Sequence, residues 1–197
     1  MKQGKFITIY GINNIGKSTQ AELLIENLKA NGYDAIYVKY PVYDLEPTGP
    51  IINNFLRGGG EQKISEDELQ MWFTLNRYQF EPKLKEWLRE GKIVVAEDYS
   101  GTGIAWGSAK GGNLDWLINL NKYLLKEDFS IFLTGKRQMH AKEGNHIHEK
   151  DDGLVEACNF ILQNLADKLG WKQINVKPSI SETGNEIWDE VKNFLKN

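Results

Sequence analysis

The sequence is poor in cysteine, in long apolar runs and in excess charge of one sign. Its one cysteine, Cys158, excludes a disulfide framework and fits a reducing compartment. No apolar run approaches the roughly 20 residues that a membrane helix needs. The net charge of −3 gives no basic footprint for a nucleic acid polymer. Residues 6–10 are too short for the core of a signal peptide, so we expect a cytoplasmic protein acting on a small molecule.

What the sequence does contain is enough apolar material for a single core. Hydrophobic residues make up 41% of the 197 positions, which is far from the composition of a disordered chain. The length suits one domain, and neither a repeat nor a low-complexity linker divides it. We therefore expect one domain over residues 1–197.

Short apolar runs alternate with segments of helical periodicity along the chain. The predicted strands cover residues 6–10, 35–39, 93–96, 130–133 and 172–176. The predicted helices cover residues 17–30, 49–56, 65–89, 114–125, 154–169 and 182–195. We expect Pro82 to kink or divide the third helix, and we assign no element to the glycine-rich residues 101–112. The alternation predicts a doubly wound α/β fold with a five-stranded parallel sheet flanked by helices.

The strongest motif lies between the first strand and the first helix. Residues 11–18 read G-I-N-N-I-G-K-S, which is the G-x-x-x-x-G-K-[ST] pattern of a phosphate-binding loop and predicts the P-loop NTPase fold. Its glycines let backbone N–H groups turn toward phosphate oxygens, and the following helix adds its positive end. Lys17 supplies a cation for the β- and γ-phosphates, and the Ser18 hydroxyl can bind Mg²⁺. The predicted ATP-binding residues are Gly11, Asn13, Asn14, Ile15, Gly16, Lys17, Ser18 and Thr19.

Two acidic residues follow the third predicted strand, where a parallel sheet presents its ligands. A carboxylate at this edge can hold Mg²⁺ through water or accept a proton. Glu97 and Asp98 are therefore candidate catalytic residues, and Ser18 with Glu97 is the candidate metal site. ATP and Mg²⁺ are the predicted cofactors.

Several separate segments, in order, resemble the thymidylate kinase family. The strand and loop at residues 6–20 resemble the opening of those enzymes, and Ala141–Gly144 with His148–Lys150 resembles the lid of the eukaryotic type. Three segments between these also resemble the family. Lys39-Tyr40-Pro41 resembles the family's Arg-Phe-Pro, and Phe73-Thr74-Leu75-Asn76-Arg77 resembles its F-x-x-N-R. Glu97-Asp98-Tyr99, followed by Gly103-Ile104-Ala105, resembles its Asp-Arg-Tyr region.

The resemblance implies transfer of the γ-phosphate of ATP to thymidine monophosphate (dTMP), giving the diphosphate dTDP. It implies that Phe73 stacks on thymine, that Arg77 hydrogen-bonds the base and that Trp106 lies near the sugar. It also implies a mobile lid at about residues 136–152, and a homodimer is an expectation from the resemblance alone. The implied acceptor-binding residues are Lys39, Pro41, Tyr43, Phe73, Arg77, Tyr99, Gly103 and Trp106, and the implied catalytic residues are Lys17, Glu97, Asp98 and Lys142.

The sequence departs from the family pattern at arginines that would contact phosphate. Asp98 and Tyr43 stand where the family has arginines around the acceptor phosphate. Asn14 in the loop and Glu143 in the lid replace arginines of the eukaryotic-type enzymes. Replacement cations, or a metal ion brought by Asp98, must then serve the phosphates. The candidates on the acceptor side are Lys39, Arg57 and Tyr43, and those in the lid are Lys136, Arg137, Lys142 and Lys150.

Three other functions are consistent with parts of the pattern. A deoxynucleoside kinase would need no phosphate-binding arginines, because its acceptor is a neutral hydroxyl, and Glu97 would be its base. A GTP-dependent switch would use the D-x-x-G match at residues 98–101, although residues 121–124 lack the Asp of N-K-x-D. A nucleotide-binding protein without catalysis is the third alternative.

Overall fold

The computed structural model describes residues 3–57, 64–137 and 152–196. Five strands and seven helices alternate over these ranges. The strands are β1 (Lys5–Tyr10), β2 (Ala35–Lys39), β3 (Ile93–Glu97), β4 (Phe129–Thr134) and β5 (Lys172–Asn175). The helices are α1 (Lys17–Ala30), α2 (Thr48–Arg57), α3 (Glu66–Arg89), α4 (Ser100–Ala109), α5 (Leu114–Asn121), α6 (Asp152–Leu169) and α7 (Ile180–Lys196).

The strands form one parallel sheet in the order β2-β3-β1-β4-β5. The predicted doubly wound α/β fold is therefore confirmed. In the register of the sheet, Glu97 of β3 lies opposite Ile9 of β1 and Lys39 of β2. The carboxyl ends of these three strands consequently meet at one edge, from which the phosphate-binding loop leaves β1.

Strand β1 occupies the middle of the sheet and the centre of the core. Phe6, Ile7, Ile9 and Tyr10 are each 0% exposed, although successive side chains of a strand point to opposite faces. Both faces of the sheet are thus covered, as expected for parallel strands joined by helices. Helix α1 packs against α7, and α4 packs against α6 and α3.

Two expectations about the helices are wrong in detail, and one of the two effects expected of Pro82 is excluded. The glycine-rich residues contain a helix, α4, because three of its glycines allow neighbours to pack closely, as described below. Helix α5 ends at Asn121 rather than at residue 125. Pro82 does not divide α3, which is one helix of 24 residues. Pro82 is an exposed residue, so it lies on the solvent side of the helix.

Cys158 lies on α6 and is fully buried. Burial raises the pKa of its thiol far above the ordinary value. Among the described helices, none combines the length and the apolar character that crossing a bilayer requires.

Candidate functional site

A cleft of about 300 Å³ opens at the carboxyl ends of β1, β2 and β3. It joins most of the residues that the sequence singles out, although they come from separate segments of the chain. The predicted residues that line it are Asn13, Asn14, Gly16, Lys17, Ser18, Thr19, Lys39, Pro41, Tyr43, Phe73, Arg77, Glu97, Asp98, Tyr99, Gly103 and Trp106.

Two of the predicted ATP-binding residues, Ile15 and Gly11, do not line the cleft. Ile15 is 1% exposed and belongs to the hydrophobic core, so its side chain anchors the loop to the core. Gly11 also supports the loop, because a Cβ atom there would lie 2.8 Å from Ile15. Lys142 lies outside the described residues, as do Lys150 and most of the expected lid.

The loop between β1 and α1 is shaped to receive phosphate. Asn14 and Gly16 have φ angles of 64° and 101°, in the left-handed region, so the chain curls back before α1 begins. No side chain caps α1, which leaves its first N–H groups available to an anion. The Lys17 ammonium donates to the carbonyl oxygens of Gly11 and Ile12, at 2.9 and 3.1 Å, and so lies within the loop.

Asp98 faces this lysine across the cleft. Its carboxylate is 3.7 Å from the Lys17 ammonium and accepts a hydrogen bond of 2.7 Å from the Thr102 hydroxyl. Burial raises the pKa of Asp98, and the neighbouring Glu97 adds to the rise, while Lys17 opposes it without cancelling it. The acid that stands in place of a family arginine is thus directed at the lysine of the phosphate-binding loop.

Glu97 is held by a second set of cations and donors. Its carboxylate is 2.9 Å from the Lys39 ammonium and accepts a hydrogen bond from the Tyr37 hydroxyl. Burial disfavours its charge, but Lys17, Lys39 and Tyr37 together outweigh that effect and lower the pKa of Glu97. Tyr37 was not among the predicted residues, although it lies two positions before Lys39 and so shares its face of β2.

The same region offers oxygen ligands that suit Mg²⁺. The Lys39 ammonium lies between Glu97 and the Ser18 hydroxyl, 2.9 Å from one and 3.4 Å from the other. A cation therefore already fits between these two hard oxygen donors. Within residues 3–57, 64–137 and 152–196, no group of three or more His, Cys, Asp or Glu side chains could hold a metal ion. Ser18 and Glu97 are two oxygen donors that could hold Mg²⁺ at the place that the Lys39 ammonium occupies in this structure.

An apolar wall faces the charged edge of the cleft. Phe73 is 8% exposed and packs with Ile52, Leu56 and Leu69 in a cluster separate from the main core. Phe73 packs in this cluster and also lines the cleft. Its part in the core is therefore compatible with the predicted stacking on a base. Leu56, which the sequence does not single out, lines the cleft beside Phe73.

Arg77 is fixed by neutral oxygen atoms at the end of this wall. Its guanidinium donates to Asn121 at 2.9 Å, to the Thr74 hydroxyl at 3.1 Å and to the Tyr99 carbonyl at 3.4 Å. Its Nε atom is buried without a hydrogen-bond partner. Burial lowers the pKa of Arg77. A Cβ atom at Gly103 would lie 2.9 Å from the guanidinium, so glycine leaves the space that Arg77 fills.

The segment after β2 is tied to the helix that carries Phe73 and Arg77. The Asn76 carboxamide accepts from the Val42 N–H at 2.8 Å and donates to the Val42 carbonyl at 3.0 Å. The next residue, Tyr43, lies under the Arg57 guanidinium, whose Cζ atom is 4.8 Å from the ring centre. Arg57 also lines the cleft.

On the lid side, Arg137 contacts the phosphate-binding loop. Its Nε atom donates to the Asn13 carbonyl at 3.3 Å, and Nη1 is 3.0 Å from the Asp152 carboxylate. Of the four lid cations that the sequence nominates, this one lies against the loop, and its side chain is 11% exposed.

Comparison of the sequence with known proteins identifies one family. The family model described as thymidylate kinase matches residues 9–187. The chain is 33% identical to a probable thymidylate kinase of Thermococcus onnurineus, over 92% of this chain and 94% of that one. It is 31% identical to the thymidylate kinase of Dictyostelium discoideum, over 95% and 84%, and 29% identical to that of Homo sapiens, over 94% and 89%.

A solved structure extends the likeness to the fold. The thymidylate kinase of Candida albicans superposes with a TM-score of 0.84 at 23% identity, over 97% of this chain and 92% of that one. The range that the family model matches includes the loop, the Phe73–Arg77 helix and the acids Glu97 and Asp98 at the end of β3. By this evidence the chain belongs to the thymidylate kinase family.

Proposed function

We propose that this protein transfers the γ-phosphate of ATP to dTMP, giving ADP and dTDP. The observation that carries the proposal is the single cleft that holds a phosphate-binding loop at one end and a base-sized apolar wall with a buried arginine at the other. A donor triphosphate and an acceptor nucleotide can therefore meet at the edge of the sheet. Membership of the thymidylate kinase family supports the same reaction.

On the donor side, the loop N–H groups and Lys17 bind the phosphates of ATP. Ser18 and Glu97 would hold Mg²⁺, which would neutralise charge on the phosphates when bound. The lid residues from about 136 to 152, with Lys142 among them, are proposed to cover the nucleotide and exclude water, so that transfer outcompetes hydrolysis. Arg137 already links the start of this segment to the loop at Asn13.

On the acceptor side, Phe73 stacks on the pyrimidine and Arg77 donates to a base carbonyl oxygen. An aromatic platform stabilises a stacked base by about 1–3 kcal/mol. The neutral partners of Arg77 keep its guanidinium unneutralised, so a carbonyl oxygen gains a charge-assisted hydrogen bond. Trp106, Tyr99 and Gly103 are proposed to contact the sugar and base, and Lys39, Pro41 and Tyr43 the phosphate side.

The chemistry favours a phosphate over a hydroxyl as the acceptor. A monophosphate oxygen is largely deprotonated at neutral pH, since its second pKa is about 6, and it can attack the γ-phosphorus without a base. The bond from that phosphorus to the β–γ bridging oxygen then breaks, and ADP leaves. A deoxynucleoside kinase would instead need a proton acceptor. The lowered pKa of Glu97, with its ion pair and hydrogen bond, makes this carboxylate a weak base.

The test is to supply ATP and Mg²⁺ with either dTMP or thymidine, and to follow ADP release and the identity of the product. We expect dTDP from dTMP and little product from thymidine. Phosphorylation of thymidine alone would contradict the proposal, and absence of turnover with all natural monophosphates, with ATP still bound, would identify a non-catalytic binder.

A matched pair of variants ties the activity to this cleft. Lys17→Ala removes the cation within the loop and is expected to lower turnover by about a hundredfold or more. Lys29→Ala changes an exposed lysine on the same helix and is expected to leave turnover unchanged. Near-normal turnover of Lys17→Ala would place the reaction elsewhere.

A further inference from the structure

The charges at the edge of the cleft already balance one another. Lys17 faces Asp98 at 3.7 Å, and Lys39 faces Glu97 at 2.9 Å. Two ammonium groups are thus matched by two carboxylates before any ligand arrives. The phosphate of an acceptor nucleotide brings close to two further negative charges at neutral pH, and a buried anion requires charged donors of its own.

Arg57 supplies a guanidinium on the acceptor side of the same cleft. It is the last residue of α2, it is partly buried, and it lines the cleft. The Tyr43 ring supports it at 4.8 Å, and its Nη1 atom donates to the Asn53 carboxamide at 3.2 Å. Stacking on an aromatic ring fixes the plane of a guanidinium, and a guanidinium of fixed plane suits a forked contact to phosphate.

The position of Arg57 also relates it to the base site. The preceding residue, Leu56, packs with Phe73 in the apolar wall and lines the cleft. Consecutive residues of α2 therefore border the base site and offer a cation. Tyr43 is held to the helix of Phe73 and Arg77 through the hydrogen bonds between Val42 and Asn76. The Tyr43 ring that supports Arg57 is consequently fixed relative to Phe73 and Arg77.

We propose that Arg57, carried on the ring of Tyr43, binds the phosphate of the acceptor nucleotide. The inference rests on the proposed function, since it assigns one more residue to the same acceptor site. The acceptor phosphate is then bound by a residue of α2, whereas the phosphate-binding loop and the acids Glu97 and Asp98 belong to other segments. The contact is made to an oxygen of the acceptor phosphate other than the one that attacks the γ-phosphorus, so Arg57 binds the attacking group and takes no part in breaking the bond to ADP.

The test compares Arg57→Gln with the unsubstituted protein by direct binding of dTMP and of thymidine, which lacks only the phosphate. We expect dTMP to bind at least about tenfold more weakly, and thymidine to bind equally well, because one charge-assisted contact to phosphate is lost. Arg89→Gln is the matched control, since Arg89 is the last residue of α3 and is exposed. Thermal unfolding midpoints establish that all variants fold.

A second variant tests the position of the charge. In the double variant Tyr43→Arg/Arg57→Gln, the guanidinium is carried by residue 43 instead of residue 57. Because the two side chains are stacked on one another, the charge stays in the same part of the cleft. We expect dTMP binding to recover relative to Arg57→Gln, with thymidine binding unchanged. Failure to recover would mean that Arg57 acts through something other than its charge at this place, and would overturn the proposal.

The remaining outcomes also decide the question. Equal weakening of dTMP and thymidine in Arg57→Gln would assign Arg57 a structural role, and no weakening would remove it from the site. If the unsubstituted protein binds dTMP no more tightly than thymidine, the phosphate site itself is overturned. Failure of the proposed function is separate, because it would appear as absence of turnover while these binding comparisons still hold.

Discussion

Single side chains in the cleft depend on neighbours that touch no ligand, and Asn121 is the clearest case. It is 3% exposed, it accepts from Arg77 at 2.9 Å, and its own N–H group donates to the Leu117 carbonyl at 2.8 Å. The second bond orients the carboxamide so that its oxygen faces the arginine. Asn121 therefore holds the guanidinium in place, and we interpret it as a positioning residue.

This interpretation predicts a selective loss of acceptor binding. Asn121→Leu should raise the KM for dTMP by about five- to tenfold through loss of one hydrogen bond to a charged group, with the KM for ATP unchanged. Asn121→Asp should not recover the loss, because its carboxylate would neutralise the guanidinium and has no N–H group to donate to the Leu117 carbonyl. Steady-state kinetics with each substrate varied in turn provides the measurement. An equal rise in both KM values would instead mean that the substitution disturbs the whole cleft.

The adjacent acids Glu97 and Asp98 should affect stability with opposite dependence on pH. The native pKa of Asp98 is raised above its ordinary value of 3.8, so the native state takes up this proton before the unfolded chain does. The native pKa of Glu97 is lowered below 4.5, so the unfolded chain takes up that proton first. Protonation consequently favours folding at Asp98 and opposes it at Glu97.

The measurement is the free energy of unfolding by urea between about pH 7 and pH 4, where each unit of pKa shift corresponds to about 1.4 kcal/mol. As the pH falls, the unsubstituted protein should gain stability relative to Asp98→Asn. Below about pH 4.5 it should lose stability relative to Glu97→Gln, as the pH approaches the lowered native pKa. The same sign in both comparisons would contradict the assigned environments.

At this scale the sequence identifies side chains better than it identifies their partners. The glycine and lysine pattern predicts the position of Lys17, because a loop of that spacing has one backbone solution. The pairing of Lys17 with Asp98 depends on a left-handed backbone at Asp98, with φ of 62°, which no local pattern indicates. Asn121 comes from α5, 44 residues after Arg77, and its sequence context carries no signal of the contact.

Among the elements, α3 carries both base-site residues, and its start is defined by one hydrogen bond. The Ser65 hydroxyl accepts from the Glu68 N–H at 3.1 Å and so caps the start of α3. The cap satisfies one N–H group that the helix cannot satisfy itself. It also fixes where the 24-residue helix begins, and so which residues face the cleft.

Loss of this cap should lower stability without abolishing the fold. Ser65→Ala is expected to reduce the free energy of unfolding by about 1 kcal/mol, as measured by urea denaturation. Ser65→Asp keeps an oxygen at the cap and adds a charge that suits the helix start, so it should match the unsubstituted protein or exceed it. If Ser65→Ala and Ser65→Asp lose equal stability, the side-chain oxygen is not what stabilises this end.

Helix α4 explains why one element could not be predicted. Glycine is a poor helix former, and three glycines among its ten residues argue against a helix. A Cβ atom at Gly101 would lie 2.5 Å from Trp171, one at Gly103 2.9 Å from Arg77, and one at Gly107 2.9 Å from Leu117. These glycines permit close packing by residues distant in the sequence. The helix is therefore stabilised by tertiary contacts that no local pattern contains.

For the whole molecule, the alternation of strands and helices was sufficient to predict the class of fold but not the order of the strands. Apolar runs mark which segments are buried on both faces, as residues 93–96 do. The order β2-β3-β1-β4-β5 depends on which helices cross which face, and those crossings are tertiary. The cleft lies beside the point in the sheet where the connection after β1 runs to β2 on one side and the connection after β3 runs to β4 on the other. Ligands in open α/β sheets generally bind at such a point.

Cys158 offers a measure of the integrity of the whole fold. It is the chain's one cysteine and it is 0% exposed, with the pKa of its thiol raised by burial. A thiol reagent should therefore modify the native protein at least about a thousandfold more slowly than the unfolded chain, because reaction requires opening of the core. ATP with dTMP should slow it further, since ligands that bind the native state oppose opening. Rapid modification of the native protein would contradict this packing.

The buried thiol has a practical consequence for spectroscopy. A cysteine introduced at an exposed position, such as Tyr123 at 76% exposure, would be the one thiol that a maleimide dye reaches in the folded protein. No native cysteine needs to be removed first, so the interior stays as it is. Two such positions would accept a donor and acceptor dye pair, and distance changes on nucleotide binding could then be followed one molecule at a time.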